Sequence, residues 1–321
     1  MKSLPHRLPA AIAAAGMLVI CLSNGAAAQP AADAEPFAEI PYRLAYQGWY
    51  TVSAAVNGDG PHDFIVDSGA TITSVFENLA DQQDFTPLEG KTIQIVGLAG
   101  TQELQSYRIG DIDFSGVEMT GHEGVILRDW EPPNLPPQGV MGLDLLTRYA
   151  VYVDDETKTI RFYDPSIAVE KGRRWTRTRM TPLGAEGPGA KLFMIKLKAG
   201  SARIPCIVDL GASGTIFNTP ALRAMTSGIH FSAAQGKDFT TGSRINDIFD
   251  TTDRARAVQI QRIRIGGASW REKVFIIYDA KIFADLGYAR KPFCLVGADL
   301  FAGRSFMFDF AGEALYIGPQ T

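Results

Sequence analysis

Two aspartates in this chain end apolar runs and are followed closely by glycine and alanine. The first run is Ile65-Val66-Asp67-Ser68-Gly69-Ala70-Thr71; the second is Ile207-Val208-Asp209-Leu210-Gly211-Ala212-Ser213. A carboxylate after buried-type residues is poorly solvated, so it needs hydrogen bonds or a second acid with which to share a proton. Glycine two residues on allows a sharp turn and close backbone approach. Two such acids in contact cannot both ionise cheaply: one keeps a proton and the other stays charged. That pair can hold a water, deprotonate it and protonate a leaving group. The repeated phrase therefore reads as one active site that takes a carboxylate from each half of the chain, Asp67 and Asp209.

For the two loops to meet, each half must build the same scaffold, and the surrounding sequence does recur in order. "TVSAAV", a turn at Asn57-Gly58-Asp59-Gly60 and "DFIVD" lead into the first loop; "KLFMIKLKA", a turn around Gly200 and "IPCIVD" lead into the second. Alternating Val, Ile, Phe and Tyr broken by turn residues predict strands. "SVFENLADQ" and "TPALRAM" then predict short helices, the second with Thr219 as N-cap and Pro220 at its first position. "YRIGDIDFSGVEM" parallels "IRIGGASWREKVFII", and "GVMGLDLLTRYAVYV" parallels "CLVGADLFAGRSFMF". Four segments in one order indicate an internal duplication of a whole domain. The Asp loops are 142 residues apart (67 to 209) and the glycine motifs 155 apart (142 to 297), which leaves 13 extra residues in the second half. They are expected in the polar stretch 236–255. The expected organisation is a first lobe at 29–165, a linker at 166–180 and a second lobe at 181–321, with "EPPNLPP" as a rigid surface loop.

The 321 residues suffice for two modest domains, and the net charge is −4. No Lys/Arg-rich run occurs, which argues against a nucleic-acid partner. Residues 1–28 read as a secretory signal peptide: Lys2 and Arg7, a short apolar core, then small residues up to Ala28. Cleavage there removes two positive charges and leaves −6, with no later stretch apolar enough for stable membrane insertion. Export places Cys206 and Cys294 in an oxidising compartment, where they form either one disulfide or two buried thiols. His62, His122 and His230 show no ligand spacing and read as surface or turn residues. No serine elbow, zinc-protease helix or phosphate loop is present, and no metal or cofactor is implied.

The motifs "FIVDSGAT", "CIVDLGAS", "VMGLDLL" and "LVGADLF" resemble those of the retropepsin-like aspartic proteases, relatives of pepsin, over roughly residues 37–318. The resemblance implies an all-β, two-lobed acid-protease fold with a few short helices. It implies that the strands before Gly142 and Gly297 thread beside the Asp loops in a ψ-shaped motif. It also implies a monomer, since both units lie on one chain, acting on a peptide or protein substrate by metal-free hydrolysis. The family's exported bacterial members suggest a periplasmic or secreted location. A β-hairpin flap over the cleft would have Gly97 and Gly100 near its tip. If the family's strand neighbours hold, the sulfurs of Cys206 and Cys294 come close.

The family places Ser or Thr after each Asp, with the hydroxyl reaching across to the other loop. Ser68 can do this and Leu210 cannot. Two readings follow: a working but asymmetric endopeptidase, or a peptide-binding relative without turnover. Thr71 and Ser213 are expected to bond the loop or substrate backbone, or to cap a local turn. Asp144 and Asp299 are expected to N-cap short helices. Leu143 and Ala298 stand where viral members often carry Arg, so that ion pair is not available.

Overall fold

The computed structural model describes residues 34–45, 48–98, 100–129, 137–167, 175–183, 191–225, 243–246 and 252–320. The expected signal peptide at 1–28, His230, most of the Pro-rich loop and much of the stretch expected to hold the extra residues lie outside the described residues.

The first half contains β1 (Ala38–Pro41), β2 (Arg43–Ala45), β3 (Trp49–Val56), β4 (Asp59–Val66), β5 (Ser74–Phe76), α1 (Glu77–Ala80), β6 (Thr86–Val96), β7 (Thr101–Asp113), β8 (Glu118–Leu127), β9 (Gly139–Met141), α2 (Leu143–Leu146), β10 (Ala150–Asp154) and β11 (Thr159–Tyr163). The second half contains β12 (Thr176–Arg179), β13 (Thr181–Leu183), β14 (Leu192–Ala199), β15 (Ala202–Val208), β16 (Ile216–Phe217), α3 (Thr219–Met225), β17 (Ser243–Asn246), β18 (Thr252–Ile265), β19 (Ala268–Ile277), α4 (Lys281–Asp285), β20 (Cys294–Val296), a 3-10 turn (Ala298–Leu300), β21 (Arg304–Asp309) and β22 (Ala314–Gln320). The protein is thus all-β and two-lobed. No described helix is long and apolar enough to cross a membrane.

Each lobe is one eight-stranded sheet, and the two share one strand order: β2-β3-β4-β9-β5-β8-β7-β6, and β13-β14-β15-β20-β16-β19-β18-β17. Extra pairings β3–β7 and β14–β18 close each sheet on itself. Alternation explains the packing. In β14, Phe193, Ile195, Leu197 and Ala199 are buried, whereas Lys196 and Lys198 between them are more exposed and Met194 packs on a second apolar cluster. A third sheet joins the lobes in the order β1-β11-β10-β21-β22-β12, with β10 and β21 antiparallel at its centre. Each lobe gives it three strands, so the local twofold runs between β10 and β21. Phe162, Phe306, Phe308 and Ile317 from this sheet join the core cluster that also holds both Asp-bearing strands.

Local chemistry explains several turns and revises others. Asn57 (φ 52°) and Gly58 (φ 80°) form the tight β3–β4 turn, both in the left-handed region. The cap of α3 is Asn218 rather than Thr219: its Oδ1 accepts from Ala221 N–H at 2.9 Å, while Thr219 bonds Asp279. Thr176–Arg179, inside the stretch expected as linker, is strand β12 of the joining sheet. The Arg-Ile-Gly echo does not set the register of the paralleled hairpins. Ser115-Gly116 turns β7 into β8 where Gly266-Gly267 turns β18 into β19, because turn glycines and the buried residues flanking them, not the echo, fix strand pairing.

Candidate active site

Each Asp loop is held from behind by the strand that precedes its motif glycine and the turn that follows it. Parallel pairing of β4 with β9 lets Asp67 N–H donate to Met141 O at 2.9 Å; β15 with β20 lets Asp209 N–H donate to Val296 O at 2.9 Å. Leu143 N–H then donates to Ala70 O, and Ala298 N–H to Ala212 O, both at 2.8 Å. Gly142 and Gly297 are needed for this close passage. A Cβ on Gly142 would sit 2.6 Å from Ile72 C, and one on Gly297 2.6 Å from Gly214 C. Cys206 lies opposite Cys294 in the same register, with Cα atoms 4.4 Å apart, and their sulfurs are bonded. The disulfide therefore ties β15 to β20 just before Asp209. With the cysteines separated by 88 positions in sequence, it restricts the unfolded chain by about 4–5 kcal/mol on the loop-entropy model.

Asp144 and Asp299 do not cap helices. The caps are Gly142 and Gly297, and no side-chain cap bond is made. Instead Asp144 Oδ1 accepts from Thr73 Oγ1 (2.7 Å) and Thr73 N–H (2.9 Å), and Gly142 N–H donates to Thr73 Oγ1. Thr215 Oγ1 makes the same 2.7 Å bond to Asp299, with Gly297 N–H donating to Thr215 Oγ1. Each acid thus fastens the far end of an Asp loop to its ψ-motif. His122 is buried behind the first loop, where its Nε2–H donates to Thr73 O at 2.7 Å; His62 is buried too, so neither is a surface histidine. Lys273 stands at the position in β19 that His122 holds in β8.

Burial pushes the Asp299 carboxyl up to about 6 from 3.8, with the Thr215 hydrogen bond and the Lys273 charge opposing the shift. A folded-state value above the unfolded one gives stability that is full below about pH 4 and lost as pH rises through 6. At roughly 1.4 kcal/mol per unit, this group alone is worth about 3 kcal/mol between those limits. Asp299→Asn is therefore expected to flatten the fall in the urea midpoint between pH 4 and 7. An unchanged slope would contradict the assignment.

The two loops meet on the axis. The Asp67 and Asp209 carboxyl groups are in hydrogen-bond contact. The approach requires both loop glycines: a Cβ on Gly69 would lie 2.4 Å from Asp209 Cγ, and one on Gly211 2.2 Å from Asp67 Oδ2. Backbone donors are shared unevenly. Asp67 Oδ1 accepts from Gly69 (2.6 Å), Ala70 (3.2 Å) and, across the axis, Gly211 (3.2 Å). Asp209 Oδ1 accepts from Ala212 at 3.1 Å, and the Gly211 N–H acts on Asp209 as well. Burial raises both carboxyls above the ordinary carboxylate range. Asp67 is drawn back down by these donors and by the bond from Asp209, whereas Asp209 is raised further by the Asp67 charge. The donors around Asp67 therefore favour the charge on its side of the pair.

The cross-axis grip is single-sided. Ser68 Oγ donates to Val208 O at 3.0 Å and accepts from Leu210 N–H at 3.1 Å. Leu210 offers no hydroxyl in return. Its side chain is 1% exposed and joins the main core cluster. The second lobe substitutes apolar burial for the missing bond, and the carboxyls still meet. Ser68→Ala leaves Leu210 N–H and Val208 O without their buried partner, at about 1–3 kcal/mol of stability. It is expected to lower the urea midpoint and to reduce turnover, checked by equilibrium unfolding and peptide cleavage; Leu210→Ala should cost stability by cavity formation instead.

Above the aspartates lies a cleft of about 950 Å³, within the range of roughly 300–1,000 Å³ usual for ligand sites. Trp49, Ile72 and Leu127 line it on one side and Ile216, Ile276 and Leu295 on the other; Thr71 and Ser213 also face it. Its roof is the β6–β7 hairpin, where Gly97 N–H donates to Gly100 O at 2.8 Å. The tip rests on the second lobe. Leu98 O accepts from Lys281 N–H at 2.8 Å, and Leu98 packs on the cluster containing Ile282 and Phe283. Lys281 and Asp285 of α4 pair at 2.7 Å beside the tip. The sequence reading missed α4 and this contact, since a five-residue helix carries little periodic signal; the Lys281/Asp285 spacing was its only trace.

Two lobes of one strand order each deliver an acid to a shared axis beneath a hairpin roof. Residues 52–145, from β3 through Asp67 to the turn after Gly142, match the family model described as aspartyl protease, consistent with a retropepsin-like family. No curated protein matches the chain.

Proposed function

We propose that the protein is an aspartic endopeptidase that hydrolyses peptide bonds with a water activated between Asp67 and Asp209. The observation that carries this reading is the convergence of the Asp67 and Asp209 loops from different lobes on the floor of a cleft. A peptide lying extended under the β6–β7 hairpin would place its carbonyl over the pair. Asp67, charged, takes a proton from the water as its oxygen attacks the carbonyl carbon; Asp209 gives its proton to the carbonyl oxygen. Collapse of the resulting diol expels the amine, which takes up the proton held on Asp67, while the other returns to Asp209. Apolar cleft walls favour apolar side chains on either side of the cleaved bond and exclude competing water.

Duplication of one β unit accounts for the matched strand orders and for the twice-written Asp phrase. The protein acts as a monomer after export to the periplasm or beyond, with residues 1–28 removed. Leu210 is the feature that would favour a binding protein without turnover, but it sits in the core and does not part the carboxyls. The test is incubation of the chain from Gln29 with a mixed peptide library from acid to neutral pH. Cleavage is expected, with activity falling in acid as Asp67 is protonated and in base as Asp209 loses its proton. Peptide binding with no cleavage at any pH would replace this reading by the non-catalytic one.

A further inference from the structure

The outward face of the second lobe's sheet gathers cations that the cleft does not use. Arg203, Lys198 and Arg264 are direct neighbours across β15, β14 and β18, and Arg262 faces Arg271 across β18 and β19. The residues alternating with them, Leu197, Ile204, Ile263 and Ile265, are buried, so the pleat sends the cations to the solvent side. Like charges directly opposed across strands are destabilising. Among the described residues none of the five makes an ion pair. The equivalent face of the first lobe has the opposite sign: Asp113 takes the place of Arg264 and is paired with Glu118. On a chain of net charge −4 this is a local positive field, backed by a negative one on the other lobe.

We propose that this face docks the protein onto a bilayer containing anionic phospholipids, the five cations meeting headgroup phosphates. The shape of the face selects that partner. β14, β15, β18 and β19 are each hydrogen-bonded on both sides, so no free edge is offered to a peptide strand. The cations lie on the outside of a closed sheet rather than in a groove. Such a field suits laterally mobile anions that can adjust to its spacing. The negative face of the first lobe then orients the molecule with the second lobe toward the membrane.

The test uses the chain from Gln29, since the apolar run before it would bind lipid by itself. Co-sedimentation is measured with phosphatidylcholine vesicles, with and without phosphatidylglycerol. Binding is expected only with phosphatidylglycerol and should vanish as salt rises from about 0.1 to 1 M. The triple variant Lys198→Gln, Arg262→Gln, Arg264→Gln should weaken binding about a hundredfold, following the usual contribution of each cation near an anionic surface. Its melting temperature and its cleavage of soluble peptides should not fall. Equal binding to both vesicle types, or undiminished binding by the triple variant, would overturn the proposal. So would capture by soluble polyglutamate without vesicle binding. The assay needs no turnover: Asp209→Asn should bind vesicles as the parent does, so failure here is separate from failure of the protease reading.

Discussion

Replacing Asp209 by Asn is expected to lower peptide cleavage by about 10³–10⁴-fold, the range lost when a positioned acid or base is removed, while the folded protein becomes no less stable at neutral pH. The amide introduced by Asp209→Asn can still donate a hydrogen bond to Asp67, as the protonated acid does, so the loops stay joined. What disappears is the proton delivered to the carbonyl oxygen. The cost of ionising a buried carboxyl beside a charged one disappears too. Because the folded Asp209 carboxyl is raised well above its ordinary range, the parent loses stability as pH climbs through that raised value, and the variant should lose less. Asp67→Asn should be equally inactive for a different reason. Its three backbone donors would surround a neutral amide oxygen with no capacity to take a proton from water. Cleavage rates and thermal unfolding between pH 4 and 8 check both variants; comparable turnover by either would remove the dyad from the mechanism.

Gly211→Ala should also be damaging, without touching a titrating group. The added methyl would lie 2.2 Å from Asp67 Oδ2, and in Gly69→Ala it would lie 2.4 Å from Asp209 Cγ. The loops must separate, which breaks the Gly211 N–H bond to Asp67 that favours its charge. Displacement of about 1 Å at a reacting centre costs about 10²-fold in rate, and overpacking costs about 1–3 kcal/mol in stability. Gly214→Ala is the control. Its nearest neighbour is Ile276 Cδ1 at 3.5 Å, an ordinary contact, so stability should be retained. Equal melting temperatures for all three alanine variants would contradict the close approach of the loops.

The parts of the fold legible in the sequence were those written in short-range pattern. Alternation marked β3, β4, β14 and β15, and the repeated Asp and glycine phrases marked the loops and the strands that thread beside them. Less legible were contacts made by single side chains over long separations. Asp144 looked like a helix cap because it follows a glycine at a helix start; only tertiary placement shows that its partner is Thr73, 71 residues away. His122 looked exposed because an isolated histidine carries no sign of the backbone oxygen it will meet. Leu210 looked like a missing grip, and it is one, yet its burial could not be read from residue type alone. The β6–β7 turn falls at Gly97 and Gly100, but its landing on α4 depends on how the lobes close.

The central claim is that one proton is shared by two acids across the lobe axis. Carbon-13 NMR titration of aspartate carboxyls in the chain from Gln29, assigned by comparison with Asp67→Asn and Asp209→Asn, tests it most directly. One carboxyl should remain protonated well above the ordinary aspartate range, its signal should vanish in Asp209→Asn, and its titration should move to lower pH in Asp67→Asn. Two carboxyls titrating independently in the ordinary range would contradict the account.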